Sequence, residues 1–130
     1  MADPKLTPNQ VRRIEEIQGF LRTVALVKKL TGELDSNRAA RPQILEDLSS
    51  RISRELFKMR QRAIAANVGT VADVAGSLAT MAKRSQGLQM KIRGLNDGIA
   101  SLAIQLDRAL AMAQVPEQKR PSGTQRPPTE

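Results

Sequence analysis

The apolar residues between positions 71 and 113 follow an unbroken alternation of three- and four-residue steps, and only Ser85 among them is polar. We call this series the seam. It consists of Val71, Val74, Leu78, Met81, Ser85, Leu88, Ile92, Leu95, Ile99, Leu102, Leu106, Ala109 and Ala113. This spacing aligns the side chains on one helix face and is typical of coiled coils and helical bundles. Because such a face has to be covered by other helices, the seam predicts an all-α fold.

The composition is consistent with a single helical domain without catalytic machinery. The chain has 130 residues, of which 40% are hydrophobic and only two, Phe20 and Phe57, are aromatic. It contains no cysteine and no histidine, which excludes disulfides, thiolate metal sites and histidine-based catalysis. No calcium-loop, di-iron or phosphate-loop motif occurs. We therefore expect a protein that is not an enzyme and has no cofactor, no bound metal and no small-molecule substrate.

Two helix boundaries follow from local chemistry in the first half of the chain. Thr7, Pro8 and Gln10 have the spacing of a capping box with proline in the first turn. A first helix is predicted from 8 to about 31, with Gly32 as its terminating residue. Pro42 then opens a second helix that we expect to reach about residue 67.

The C-terminal half permits two architectures. A turn at Gly94, followed by an asparagine cap at Asn96, would divide it into helices at 70–93 and 96–115. The seam, however, keeps its phase through Gly94, which favours one continuous helix. The predicted fold is therefore a bundle of three or four antiparallel helices with a coiled-coil-like long C-terminal helix (about 70–115), and a break near Gly94 is the alternative.

The sequence suggests three segments: an N-terminal lead-in at 1–7, the helical domain at 8–115 and a disordered, proline-rich basic tail at 116–130. The first residues are polar and lack the apolar core of a signal peptide. No apolar run approaches the length of a membrane span. We expect a cytoplasmic protein, with earlier removal of a signal peptide as the alternative.

The seam supplies the first functional hypothesis, a scaffold or adaptor that self-associates or binds a helical partner protein. The residues predicted to form that interface are Leu88, Ile92, Leu95, Ile99, Leu102 and Leu106.

A row of cations in the second predicted helix supplies the alternative, binding to an anionic surface. The formal net charge is +8. Spacings of three, four and four residues place the cations on one helix face, which we call the cationic row: Arg51, Arg54, Lys58 and Arg62. Such a row can bind a nucleic-acid backbone or an acidic membrane, although a merely solvated face has the same pattern. With so few aromatic residues for base stacking, we expect any nucleic-acid binding to be backbone contact with strong salt dependence.

Overall fold

The computed structural model describes residues 6–84 and 87–116. These residues form four α-helices and no strand: α1 (Pro8–Ser36), α2 (Pro42–Ala65), α3 (Gly69–Lys83) and α4 (Leu88–Ala113). Each helix packs against the next in sequence, and α1 also packs against α4, so the helices close into a ring. The predicted all-α helical bundle is confirmed. Most of the predicted lead-in at 1–7 (residues 1–5) and nearly all of the predicted tail at 116–130 (residues 117–130) lie outside the described residues.

Contacts between neighbouring helices pair their residues in reverse order, as antiparallel helices do: Ser53 of α2 meets Ala79 of α3, and Arg60 meets Gly76. The Ser53 hydroxyl of α2 donates a hydrogen bond of 2.9 Å to the Ala79 carbonyl of α3. The Gln10 side-chain amide, at the start of α1, donates one of 2.6 Å to the Val115 carbonyl that follows α4. This second bond ties the two ends of the described chain together. The same amide lies 3.5 Å from the Ala113 carbonyl, one of those that the last turn of α4 leaves open.

The start of α1 is as predicted, but its end is not. Thr7 and Gln10 form a reciprocal capping box. Gly32, however, does not terminate the helix, which continues to Ser36. The extra turn brings Leu34 into the core, where it is fully buried, and this packing outweighs the modest helix penalty of one glycine.

Asn67 makes the reversal between α2 and α3. It has a left-handed backbone with a φ of 60°, a conformation that asparagine tolerates better than most residues. Gly69, although glycine adopts left-handed backbone conformations readily, is instead the first residue of α3.

The prediction of one continuous helix over about 70–115 is wrong. α3 ends at Lys83 and α4 begins at Leu88, so the chain turns ahead of Gly94 and not at it. Ser85 and Gln86 lie outside the described residues. The seam keeps its phase because both helices direct their apolar faces into the same core, which two antiparallel helices can do as readily as one long helix.

The glycines of α4 permit close packing against α3. A Cβ atom placed on Gly98 would overlap the Cδ2 atom of Leu78, and one placed on Gly94 would overlap the Sδ atom of Met81. Both glycines lie inside α4, where glycine is unfavourable for the helix by itself. Their role is therefore steric, since they let the side chains of α3 lie directly on the backbone of α4.

The core lies along the axis of the ring and is almost entirely aliphatic. Phe20 is its only aromatic side chain among the described residues. The largest fully buried apolar side chains come from α1, α2 and α4: Leu30, Leu34, Ile52, Leu56, Met59, Leu95, Leu102 and Leu106. From α3 come mainly alanines, which allow α2 and α4 to approach it closely.

Replacing Gly98 by alanine tests the close approach of α3 and α4. We expect Gly98→Ala to lower the free energy of unfolding by about 1–3 kcal/mol, because the added methyl group overpacks the interface with Leu78. Gly32→Ala is the matched control, since a Cβ there meets no atom within 4 Å, and it should stabilise the helix by about 0.5–1 kcal/mol. Urea denaturation measures both. Equal stabilisation by the two substitutions would show that α3 and α4 do not pack this closely.

Candidate anion-binding surface

The residues predicted to form the seam interface lie largely inside the bundle. Ile92, Leu95, Ile99, Leu102 and Leu106 are buried by the chain's own helices, and Leu88 is half-buried. The seam is thus covered within a single chain. A partner helix could reach these five side chains only if the bundle opened.

The cationic row lies on the face of α2 that points away from the core. All four of its side chains are exposed, while the opposite face buries Ile52, Leu56 and Met59. At a rise of 1.5 Å per residue the row extends over roughly 16 Å. The helix holds the charges in a line, and the packing of its apolar face fixes their direction.

Acidic side chains neutralise little of the positive charge of the cationic row. Glu55 is the only acidic residue between Arg51 and Arg62, and its carboxylate lies 3.7 Å from the Lys58 ammonium. An ion pair of that length at an exposed lysine is weak. Within the described part of the chain, Arg51 and Arg54 form no ion pair. The N-terminal part of the row therefore presents its charge to solvent.

Arg62 differs from the other members of the row because it also joins α2 to α1. Its guanidinium donates a hydrogen bond of 2.7 Å to the Thr23 hydroxyl. That hydroxyl is buried and lies 3.4 Å from the Gly19 carbonyl, to which it donates. Arg62 thus satisfies a polar group at the interface with α1, and substituting it would disturb packing as well as charge.

A mainly apolar cleft of about 340 Å³ adjoins Arg62 between α1 and the end of α2. Phe20 and Ala65 line it together with two carboxylates, those of Glu15 and Glu16. Their negative charges lie at the C-terminal end of the row and lower the positive potential there. The positive potential of the row is accordingly strongest in the segment from Arg51 to Lys58.

Sequence analysis missed a second cleft, of about 470 Å³, where the start of α2 meets the end of α3 and the start of α4. Lys83, Arg84 and Lys91 line it together with one carboxylate, that of Glu46. Burial lowers the pKa of Lys91, and its ammonium lies 3.5 Å from the Ser49 hydroxyl. No spacing in the sequence indicates this cluster, because Lys83 and Arg84 at the end of α3 meet Lys91 of α4 and Glu46 of α2 only in the folded chain.

A groove of about 730 Å³ on the α3 side of α2 was also missed. It contains Phe57 and Arg60 of α2, and Arg84 at the end of α3. The three-residue spacing of Phe57 and Arg60 places them on one side of a helix and was readable in the sequence. The sequence did not indicate, however, that the Phe57 side chain is exposed and not buried.

Other kinds of site find no support in the described residues. No group of three or more acidic residues in residues 6–84 and 87–116 is arranged to hold a metal ion. None of the four described helices combines the length and the apolar character needed to cross a membrane. Comparison of the chain with models of protein families, with curated proteins and with solved structures finds no match.

Introducing a charge into the seam tests whether its residues stabilise the core of a single chain. Ile99→Asp should destabilise the fold by more than about 3 kcal/mol, because it removes apolar burial and places a carboxylate in the core. Ile104→Asp, at an exposed position five residues further along α4, should leave the melting temperature nearly unchanged. Circular dichroism melts and light scattering on a sizing column measure stability and association. A folded Ile99→Asp variant that only lowers the association state would restore the seam as an interface between chains.

The partial burial of the Lys91 ammonium predicts a pH dependence of stability. Its pKa is lowered from 10.5, so between the lowered value and 10.5 the unfolded chain binds more protons and stability rises with pH. Lys91→Met should therefore raise the free energy of unfolding at pH 7, and this gain should shrink by pH 10. Lys28→Met, at an exposed position of α1, controls for the loss of one charge in urea denaturation at both pH values. An equal gain in the free energy of unfolding at pH 7 and pH 10 would point to packing of the methionine side chain as the cause.

Proposed function

We propose that this protein is a non-enzymatic helical bundle that binds the sugar-phosphate backbone of nucleic acid through the cationic row of α2. The observation that carries the proposal is the arrangement of the row, in which exposed cations stand in line on a helix whose other face is anchored in the core. Each cation that contacts a phosphate releases condensed counterions, which favours binding without regard to base sequence.

The burial of the apolar face of α2 favours nucleic acid over a membrane. A helix that lies on a membrane inserts its apolar face between the lipids, but in this bundle Ile52, Leu56 and Met59 are already covered by the other helices. The row could then hold an acidic membrane by charge alone. A nucleic-acid backbone needs no apolar face, because its contacts are electrostatic.

Docking of a partner helix on the seam is less well supported than binding on the row. It would require opening the core that holds the bundle together, whereas the row is accessible in the folded chain. The exposed cationic row is therefore the favoured binding surface, and self-association through the seam is the alternative.

Charge reversal of the row tests the proposal. In Arg51→Glu/Arg54→Glu/Lys58→Glu, affinity for a labelled nucleic acid should fall at least about tenfold, and the slope of log affinity against log salt concentration should decrease by about 2 to 3. Fluorescence anisotropy over a salt series measures both. Arg62 is left in place because it also bonds to Thr23.

A variant with the same net charge separates the row from the charge of the whole protein. Lys28→Glu/Arg93→Glu/Arg108→Glu reverses three exposed cations on α1 and α4 and lowers the formal charge equally, from +8 to +2. It should retain most of the affinity. An equal loss in both variants, or wild-type binding that is insensitive to salt, would contradict the proposal. Binding to phosphatidylserine vesicles without binding to nucleic acid would establish the membrane alternative.

A further inference from the structure

The groove on the α3 side of α2 has the composition of a site for an aromatic anion. Six of the residues that line it are Phe57, Arg60, Gly76, Ser77, Thr80 and Arg84. At about 730 Å³ it falls within the usual size range of small-molecule sites. Among the described residues Asp73 supplies the single carboxylate of the groove, so the two guanidinium groups exceed the negative charge there.

Phe57 is the aromatic surface of this groove. Its side chain is 40% exposed, whereas the other phenylalanine, Phe20, is buried in the core. A phenylalanine ring in water is unfavourable, and the bundle does not require Phe57 for its core. Bases stack on aromatic side chains of this kind irrespective of their identity.

The position of Arg60 depends on a glycine of the neighbouring helix. A Cβ atom placed on Gly76 would lie 2.9 Å from Cδ and 3.1 Å from Nε of Arg60. The absence of that atom lets the arginine side chain lie directly across α3. The guanidinium is thereby brought into the groove, on the same side of α2 as Phe57.

The opposite wall of the groove adds a second guanidinium and hydroxyl groups. Arg84 follows the last turn of α3 and is exposed. The Thr80 hydroxyl donates a hydrogen bond of 3.0 Å to the Gly76 carbonyl and keeps its lone pairs as acceptors. Ser77, one turn earlier on α3, is exposed. Two arginines on facing walls of a groove are suited to phosphate, which their planar groups bind through paired hydrogen bonds.

We infer that this groove binds one nucleotide of single-stranded nucleic acid, with the base stacked on Phe57 and the phosphate held by Arg60 and Arg84. The inference rests on the proposed function and names its substrate class. The groove and the cationic row meet on α2, because Phe57 directly precedes Lys58 and lies one helical turn after Arg54. A strand that follows the row therefore passes the groove, and a base that is not paired can enter it.

Removing the bases from the ligand tests this inference directly. The wild-type protein should bind a labelled oligothymidylate about tenfold more tightly than an abasic deoxyribose-phosphate oligomer of the same length, since only the first can stack. Phe57→Ala should bind both oligomers equally, with its affinity for the abasic oligomer unchanged. Phe57→Tyr keeps an aromatic ring and should retain the preference for bases.

Two further variants make the result specific to the groove. Ile64→Ala truncates another exposed apolar side chain of α2, one that does not line the groove, and it should keep the wild-type preference. Gly76→Ala displaces Arg60 and should weaken binding of the oligothymidylate. Circular dichroism establishes that each variant is folded.

The outcomes separate this inference from the proposed function. Equal wild-type affinity for the two oligomers, or an unchanged preference in Phe57→Ala, would overturn the nucleotide site while the row could still bind backbone. No loss of affinity on reversal of Arg51, Arg54 and Lys58 would overturn the proposed function itself.

Discussion

The arrangement of the C-terminal half of the bundle depends on the close packing of α3 on α4 at two glycines. Leu78 and Met81 lie on the backbone of α4 where Gly98 and Gly94 have no side chain. This close approach places the two halves of the seam side by side. Ile99 and Leu102 then face the core, and α1 covers α4 from its other side. A pattern that resembles an interface between chains thereby becomes the interior of one chain.

The surface of α2 follows from the same arrangement. With α1 on one side and α3 on the other, the helix buries its apolar face and turns the cationic row outward. Its two flanks differ. Arg62 is bonded to Thr23 on the α1 side, whereas Arg60 lies across Gly76 on the α3 side. The first contact ties two helices together, and the second directs a guanidinium into an open groove.

In the proposed complex the cationic row would contribute electrostatic attraction, and the groove would contribute base stacking. The row offers charge in a line, which attracts any phosphate backbone and is screened by salt. The groove offers a ring and two guanidinium groups, whose contacts depend on a base that is free to enter. Neither of the proposed contacts requires the bundle to open, because the residues that support both surfaces are packed in the core or lie against a neighbouring helix.

The sequence by itself determined the all-α class, the capping box at Thr7 and Gln10, the start of α2 at Pro42 and the alignment of the cationic row. Each of these depends on local spacing or on residues that are near in sequence. It did not determine where the C-terminal half turns, because a seam keeps the same phase in one long helix and in two helices that fold back on a shared core. Gly94 illustrates the ambiguity, since the same residue type ends helices and permits close packing, and only a neighbour such as Met81 decides between them. The exposure of Phe57 and the clustering of Lys91 with Lys83 and Arg84 were likewise decided by the tertiary structure, because they depend on which helices the ring brings together.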